Sequence, residues 1–274
     1  MPWWVRAYLL IGAAQGLALG VTGLLVPSEL QIPLRISPLN ARFVAALYAA
    51  AALGVLLSAL VHRRQDAQIF VVGFGLATTL IAIVTVLHWS EFMDPSLPHR
   101  PLWLTAYVVD PILAFVIVPA AGLWRAPSGS GRRLLLVPLA AQSAILGIAG
   151  LVLLLLPQVA VAVWPWALTP VLSQVYASFF LAFAVGGVLA LRRSRPIMVR
   201  NLAAALLAMT SLVLLASLLH LERFKPGPVT WVWFAAFALG AVTFGVGLVR
   251  LLVVGPAEPA PGTDEGRSLS RPHP

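Results

Sequence analysis

The sequence contains no cysteine, a single lysine (Lys225) and few charged residues of any kind. Without cysteine the chain can form no disulfide, no thiolate metal site and no cysteine nucleophile. Charged residues make up 10% of the sequence and hydrophobic residues 60%, whereas soluble domains carry roughly a quarter charged residues. A water-soluble fold could not bury that much apolar surface, so the composition predicts a protein whose main solvent is lipid.

Apolar runs long enough to cross a bilayer recur along the whole chain. A helix needs about 20 residues to cross roughly 30 Å of hydrocarbon at 1.5 Å per residue. The runs predict an all-α bundle with eight spans, at residues 7–26, 41–61, 68–88, 103–124, 134–156, 171–191, 198–220 and 231–254. The segment 255–274 is rich in proline, glycine and charge, and we expect it to be a disordered cytoplasmic tail.

The distribution of basic residues predicts the orientation of these spans. Thirteen of the 18 fall on the side of the N-terminus, and the other side carries only Arg35, Arg42, Arg100, Arg223 and Lys225. Cytoplasmic segments keep an excess of lysine and arginine, so both termini are predicted in the cytoplasm of a bacterium, with the chain multi-pass in its inner membrane. The net charge of +9 is then a topology signal and not a sign of nucleic-acid binding. We expect the protein to be surrounded by the lipid bilayer. Its candidate partners are a second copy of the same chain or the subunits of a membrane complex.

Most tryptophans lie near the ends of the predicted spans. Amphipathic indole rings prefer the headgroup layer of a membrane. We therefore expect interfacial anchors, and no substrate-binding box, at Trp3, Trp4, Trp89, Trp103, Trp164, Trp166, Trp231 and Trp233.

Short polar motifs of the first half recur in the same order in the second half. Ala-Ala-Gln ending at Gln15 returns at Gln142, an offset of 127, and Leu-His ending at His88 returns at His220, an offset of 132. Chance similarity of apolar helices explains shared leucines but not these polar residues. The pattern predicts two tandem four-helix repeats, and because each has an even number of spans they have the same orientation. The repeats cover residues 1–126 and 127–254.

Several features favour specific helix packing and helix starts. Gly12, Gly16 and Gly20 form a small-residue face that lets helices approach closely, with Gln15 beside it as an interhelical hydrogen-bonding residue. Ser37 and Thr169 each precede a proline, which is typical of the N-cap of a helix. Arg42 lies one turn further on, and with the helix N-terminus it could receive an anion, although capping alone also explains the motif.

His88 and His220 end two matching stripes of hydroxyl residues, Thr78 and Thr85 in the first half and Thr210 and Ser217 in the second. If the two histidines faced each other they could ligate a metal or haem, hold a quinone or act in proton transfer. An interfacial histidine held by a hydrogen bond is the alternative. The sequence shows no known metal-binding spacing, so the cofactor stays open.

Asp110 is the only acidic residue well inside a predicted span, and Tyr107 lies three residues earlier on the same helix face. A carboxylate in hydrocarbon costs at least about 2.5–3.5 kcal/mol, so such residues usually face a cavity or a partner. Two interpretations remain: a functional site, or a buried aspartate bonded to Arg42, Tyr107 or a glutamine.

Three functions fit these features. The first is a transporter or channel for a small solute or ion, with a site at the repeat interface near Asp110, His88 and His220. The second is a non-catalytic accessory or scaffolding subunit of a membrane complex. The third, a membrane enzyme or a haem- or quinone-binding carrier using the two histidines, is the least favoured because the sequence has no Ser-His-Asp order, HExxH motif or carboxylate cluster.

Overall fold

The computed structural model describes residues 1–120, 135–193 and 195–253, and the predicted tail lies outside these residues. Every regular element within them is helical. Short 3-10 helices lie at Pro27–Glu29, Arg64–Ala67 and Leu221–Arg223. The α-helices are α1 (Trp3–Leu25), α2 (Pro38–Ala59), α3 (Gln68–Leu87), α4 (Trp89–Phe92), α5 (Arg100–Ala120), α6 (Leu136–Leu155), α7 (Pro157–Val163), α8 (Pro170–Arg193), α9 (Pro196–Leu218) and α10 (Pro228–Val253).

Seven of the described helical stretches are long and apolar enough to cross a membrane. They comprise α1, α2, α3 with the 3-10 turn before it, α6, α8, α9 and α10, and they are 20 to 26 residues long. At 1.5 Å per residue this is about 30–39 Å of helix, enough for the hydrocarbon core. The chain is therefore an integral, multi-pass membrane protein built as an all-α bundle. The count differs from the eight predicted spans because α5 is not among the seven, and residues 121–124 of its predicted span lie outside the described residues.

Each long helix packs along particular neighbours. α1 lies along α2 and α6 along α8, α2 also packs on α9 and α3 on α8, and α5 packs on α3 as α10 does on α9. In the apolar stretches of α2 and α8, 67% of the residues are buried, against 28% in α6 and α10. The centre of the bundle is thus formed by α2 and α8, while α6 and α10 turn apolar side chains outward.

The long helices run alternately between the two ends of the bundle. α2, α5, α8 and α10 begin at one end, which we call the Ser37 end. α1, α3, α6 and α9 begin at the opposite end, the Arg64 end, where the amino group of Met1 donates to the carbonyl oxygen of His62 at 2.8 Å. Polar contacts accordingly concentrate at the two ends.

Side-chain caps begin both central helices. The Ser37 hydroxyl accepts a hydrogen bond from the Asn40 amide, and the Thr169 hydroxyl accepts one from the Leu172 amide, each at 3.3 Å. The proline that follows each cap has no N–H, which is harmless at the first helical position. These bonds satisfy amides that have no partner inside the helix.

Gly16 and Gly20 allow α1 to approach α2 closely. A Cβ atom at Gly20 would lie 2.7–2.9 Å from the Cβ, N and Cα atoms of Ala49, and one at Gly16 would lie 2.8 Å from the Cβ atom of Ala52. No side chain fits at that separation, so this helix pair depends on glycine. Gly12 instead faces the ring of Phe74 on α3.

The tryptophans divide into two groups. Trp3 and Trp231 are 80% and 75% exposed, as expected of anchors. The prediction is wrong for Trp103, Trp164 and Trp166, which are buried in the core. Trp164 and Trp166 belong to the segment after α7, which folds back over the bundle. There both rings pack edge-on against Phe43 of α2, with centroids 6.2 and 5.4 Å away.

Candidate functional site

An elongated cavity of about 230 Å³ lies among α1, α3 and α5, with residues of α2, α8 and α9 also lining it. Along α3 the lining runs from Ile69 to Ile81, which is about 18 Å of helix. Gln15 and Ala18 on α1 and Leu102 on α5 line the cavity and are themselves exposed. The mouth of the cavity therefore opens sideways from the bundle, between α1 and α5.

Asp110 is buried in the wall of this cavity, with 7% of its surface exposed. Among the described lining residues it is the only one with a charged side chain. Its backbone oxygen accepts a hydrogen bond from the Tyr8 hydroxyl at 3.1 Å, which ties α1 to α5. Among the described residues, this backbone contact is the only hydrogen bond to Asp110 from outside its own helix, and none goes to its carboxylate. Arg42 and the glutamines, which were considered as partners of Asp110, therefore do not bind it within the described part of the chain.

Two tyrosines lie next to Asp110 in the cavity wall. Tyr107, one turn earlier on α5, forms a hydrogen bond between its hydroxyl and that of Tyr48 on α2. Tyr107 packs on Trp103 with ring centroids 4.3 Å apart, and Tyr48 packs edge-on against Phe179 of α8 at 4.8 Å. These contacts fix both phenols at the cavity surface. Helical spacing predicted Tyr107, but Tyr48 lies 59 residues away in sequence and no local pattern points to it.

Three further polar residues line the cavity, Gln15, Gln31 and Thr78. The Thr78 hydroxyl donates to the carbonyl oxygen of Phe74 at 2.9 Å, as helical threonines commonly do. Gln15 is exposed at the mouth, whereas its predicted counterpart Gln142 lies half-buried on α6 and is not part of the lining. Gln15 and Gln142 thus occupy different environments.

The two histidines bind different helices and do not hydrogen bond to each other. The guanidinium of Arg42 donates to Nε2 of His220, since arginine has no acceptor atom. Nε2 of His88 contacts the side-chain oxygen of Gln174 at 2.6 Å. Because an oxygen can only accept, this nitrogen of His88 carries the proton. Neither ring lines the cavity, so the structure separates both histidines and Arg42 from Asp110.

Arg42 and Gln174 also cap the ends of neighbouring helices. Nε of Arg42 donates to the carbonyl oxygen of Leu24 in α1 at 3.1 Å, and Nε2 of Gln174 donates to that of Leu154 in α6 at 2.9 Å. These carbonyls lie in the last turns of their helices, where no intrahelical donor remains. Arg42 therefore has a structural role at this position, and the anion-binding interpretation receives no support from its contacts.

A polar layer around Asp66 and Arg195 lies near the Arg64 end, and the sequence did not predict it. Asp66 accepts a hydrogen bond from the guanidinium of Arg195 at 2.6 Å, with both side chains largely buried. Three fully buried polar residues lie near this pair in sequence: Ser58 and Gln68 near Asp66, and Asn201 near Arg195. Within the described residues their side chains have no hydrogen-bond partner. The sequence showed these residues only as loop charges and isolated polar positions at span ends.

Outside the spans, Asp94 forms a small polar cluster at the Ser37 end. Its carboxylate accepts hydrogen bonds from the Ser96 amide at 2.9 Å and the Ser96 hydroxyl at 2.7 Å, and it pairs with Arg35 at 3.4 Å. The two bonds from Ser96, and then the charge of Arg35, hold the pKa of Asp94 below its usual range. This carboxylate is accordingly ionised at neutral pH.

The cavity brings together three predicted residues, Asp110, Tyr107 and Gln15, and adds Tyr48 and Thr78. One carboxylate and two phenols can balance a positive charge and exchange hydrogen bonds with a bound molecule. In the part of the chain that the structure describes, no three His, Asp or Glu side chains form a metal-binding group. Comparison with protein-family models, curated proteins and solved structures found no match for this chain.

Proposed function

We propose that the protein is a transporter that carries a small molecule across the bacterial cytoplasmic membrane by way of the cavity around Asp110. The buried carboxylate of Asp110 is the observation that carries this proposal. A charge at the centre of a membrane helix costs about 2.5–3.5 kcal/mol. An aspartate that served folding alone would be expected to bond to a donor, whereas this one lines an open space.

The proposal includes eight spans arranged as two tandem four-helix repeats. Matched hydrogen bonds support it: the Trp103 indole donates to the Thr85 hydroxyl, and the Trp233 indole donates to the Ser217 hydroxyl, each at 3.0 Å. The packing of α2 on α9 also has a counterpart in the packing of α8 on α3. In this register α5 corresponds to α10, which favours α5 as the eighth span.

A difference between the two halves supports a functional role for the first. Aligning the two tryptophans places Tyr107 opposite Phe237 and Asp110 opposite Gly240. A Cβ atom at Gly240 would lie 2.7 Å from the methyl carbon of Thr210, so a side chain at this position of the second half would have to displace Thr210. The polar groups occur where there is a cavity and are replaced by apolar groups where the helices pack, as expected if the polar groups serve a ligand.

The orientation predicted from the basic residues remains part of the proposal. It places the Arg64 end, with its arginine-rich turns, in the cytoplasm. The mouth between α1 and α5 then faces the membrane, and the bundle between the cavity and the cytoplasm holds the polar layer of Asp66 and Arg195. A transport cycle requires that this layer open.

The test uses the full chain in proteoliposomes with three proteins: wild type, Asp110→Asn and Asp94→Asn. Asp94 is a matched control because it is an aspartate at the Ser37 end that does not line the cavity. Currents on a solid-supported membrane are recorded for panels of small organic cations, carboxylates and metal ions, and neutral solutes are followed by counterflow.

We expect one solute class to be moved by wild type and by Asp94→Asn, and to be lost in Asp110→Asn. Movement of no class, or movement that persists fully in Asp110→Asn, would overturn the proposal. An accessory role in a membrane complex would then be the better account, and copurification with native partners from membranes would examine it.

A further inference from the structure

We infer that the ligand of this cavity is a small organic cation with apolar substituents, which reaches Asp110 sideways from the membrane between α1 and α5. The inference rests on the proposed function, because it names the ligand class of the same site. It goes further by assigning the ligand's charge, polarity and direction of access.

The sign of the charge follows from the lining. Asp110 is the only charged group among the lining residues described, and the lining contains no arginine, lysine or histidine. Asp110 is 7% exposed and most of the lining is apolar, so a charge there acts with less screening than at the surface. An anionic ligand would meet one uncompensated negative charge and no positive one, whereas a monovalent cation would neutralise it.

The aromatic content of the wall also favours a cation. The rings of Phe74, Tyr48, Trp103, Tyr107 and Phe179 all contribute to the lining. The face of an aromatic ring is electronegative and attracts cations, with an effect of about 2 kcal/mol or more where water is excluded. Several rings around a single carboxylate therefore form a suitable environment for one positive charge with an organic surface.

The small number of oxygen atoms in the lining argues against a divalent metal ion. Mg²⁺ requires six ligands in near-ideal octahedral geometry, and Ca²⁺ takes six to eight oxygens. The cavity offers the carboxylate of Asp110 and the hydroxyls of Tyr48 and Tyr107 together. The Thr78 hydroxyl already donates to its own helix, and Gln15 and Gln31 are exposed. A metal ion would lose more hydration than these groups replace. An alkylated ammonium holds little water and needs no such shell.

The volume of the cavity and the position of its mouth narrow the class of ligand further. Pockets for drug-sized ligands are usually about 300–1,000 Å³, so a cavity of about 230 Å³ suits one ring with a substituted ammonium group. The mouth is lined by Gln15, Ala18 and Leu102, on helix faces that are exposed from the bundle. A cation with apolar substituents concentrates at the membrane interface and can enter by this route.

The experiment compares three probes of similar shape. Benzyltrimethylammonium carries a fixed positive charge, neopentylbenzene is its neutral isostere with carbon in place of nitrogen, and phenylmethanesulfonate is an anion of similar size. Equilibrium binding of each radiolabelled probe is measured with the full chain in nanodiscs, for wild type, Asp110→Asn, Asp110→Glu and Asp94→Asn. Empty nanodiscs supply the correction for partition into lipid.

We expect saturable binding of the cation to wild type, with affinity about 10- to 100-fold lower in Asp110→Asn, as the loss of a charge contact in a partly dry site predicts. Asp110→Glu keeps the charge and should retain more affinity than Asp110→Asn, which separates the effect of charge from misfolding. Asp94→Asn should match wild type, and the anion should not bind.

Equal affinity for the cation and its neutral isostere, or equal cation affinity in wild type and Asp110→Asn, would overturn the inference. So would the absence of saturable binding of the cation. The proposed function would survive any of these results if the proteoliposome panel still showed Asp110-dependent movement of another solute class. The proposed function would fail together with the inference only if the proteoliposome panel showed no Asp110-dependent movement of any solute class.

Discussion

Substitution by alanine is predicted to lower the free energy of unfolding at Gly20 and to raise it at Gly147. Gly20 is buried where α1 meets α2, and a new Cβ atom there would lie 2.7–2.9 Å from three atoms of Ala49, two of them backbone atoms that cannot rotate away. At Gly147, where α6 meets α8, the nearest atom to a new Cβ is the Cβ of Ala184 at 3.6 Å. That distance is an ordinary van der Waals contact, so the second site has room for a methyl group and the first has none.

The magnitudes follow from two opposing effects. Replacing glycine by alanine inside a helix stabilises it by about 0.5–1 kcal/mol, because the unfolded chain loses freedom. Overpacking costs about 1–3 kcal/mol, and the upper part of this range applies when the blocking atoms are backbone. Gly20→Ala should therefore lower the free energy of unfolding by about 1–2 kcal/mol, and Gly147→Ala should raise it by about 0.5–1 kcal/mol.

Reversible unfolding in mixed detergent micelles, driven by SDS and followed by circular dichroism, measures both free energies. Wild type and the two variants are compared at the same lipid-to-detergent ratio. A Gly20→Ala protein as stable as wild type or more stable would refute the packing of α1 on α2 described above. A destabilised Gly147→Ala protein would contradict the space described between α6 and α8.

Two further predictions concern charged groups. Asp66→Asn should lower the free energy of unfolding by about 3–5 kcal/mol in the same assay, because it leaves the buried guanidinium of Arg195 uncompensated. A loss below about 1 kcal/mol, which is the range of surface ion pairs, would contradict a buried ion pair. Ser96→Ala should raise the pKa of Asp94 towards the ordinary value of about 3.9, since it removes the hydroxyl donor, and an NMR pH titration of the Asp94 carboxyl carbon would detect it. Because the pKa of folded Asp94 is lowered, its contribution to stability is complete above the pKa of the unfolded carboxyl and is lost as the pH falls through the folded pKa. An unchanged Asp94 titration in Ser96→Ala would contradict the assigned cause.

The helical elements could be predicted from the sequence because lipid imposes a strong and local requirement. Each span needs about 20 apolar residues with their backbone groups bonded internally. The predicted span 41–61 therefore corresponds to α2, Pro38–Ala59, and the Ser-Pro pair at Ser37 coincides with its start. Helical spacing was likewise sufficient to place Tyr107 and Asp110 on one face of α5.

Features that depend on contacts between distant segments could not be predicted. The position of a tryptophan near a span end is the same whether it faces lipid or is covered by a returning loop, so the burial of Trp164 and Trp166 gave no local signal. His88 and His220 lie in similar local sequences, yet their partners differ because Gln174 replaces arginine on the facing helix. The cavity itself is lined by α1, α3 and α5 next to the Tyr8 contact, and only the assembled bundle determines it.

The most direct test of the account compares chemical access to Thr78, which lines the cavity, with access to Thr210, its counterpart packed against Gly240. Because the chain has no cysteine, Thr78→Cys and Thr210→Cys each give a protein with a single thiol. Both are treated in liposomes with 2-aminoethyl methanethiosulfonate, a small cation, and with its anionic sulfonatoethyl analogue. We expect the cationic reagent to modify Thr78→Cys at least about tenfold faster than Thr210→Cys, and faster than the anionic reagent does, because a carboxylate lies in the cavity wall. Equal rates at the two positions, or a preference for the anion at Thr78→Cys, would contradict it.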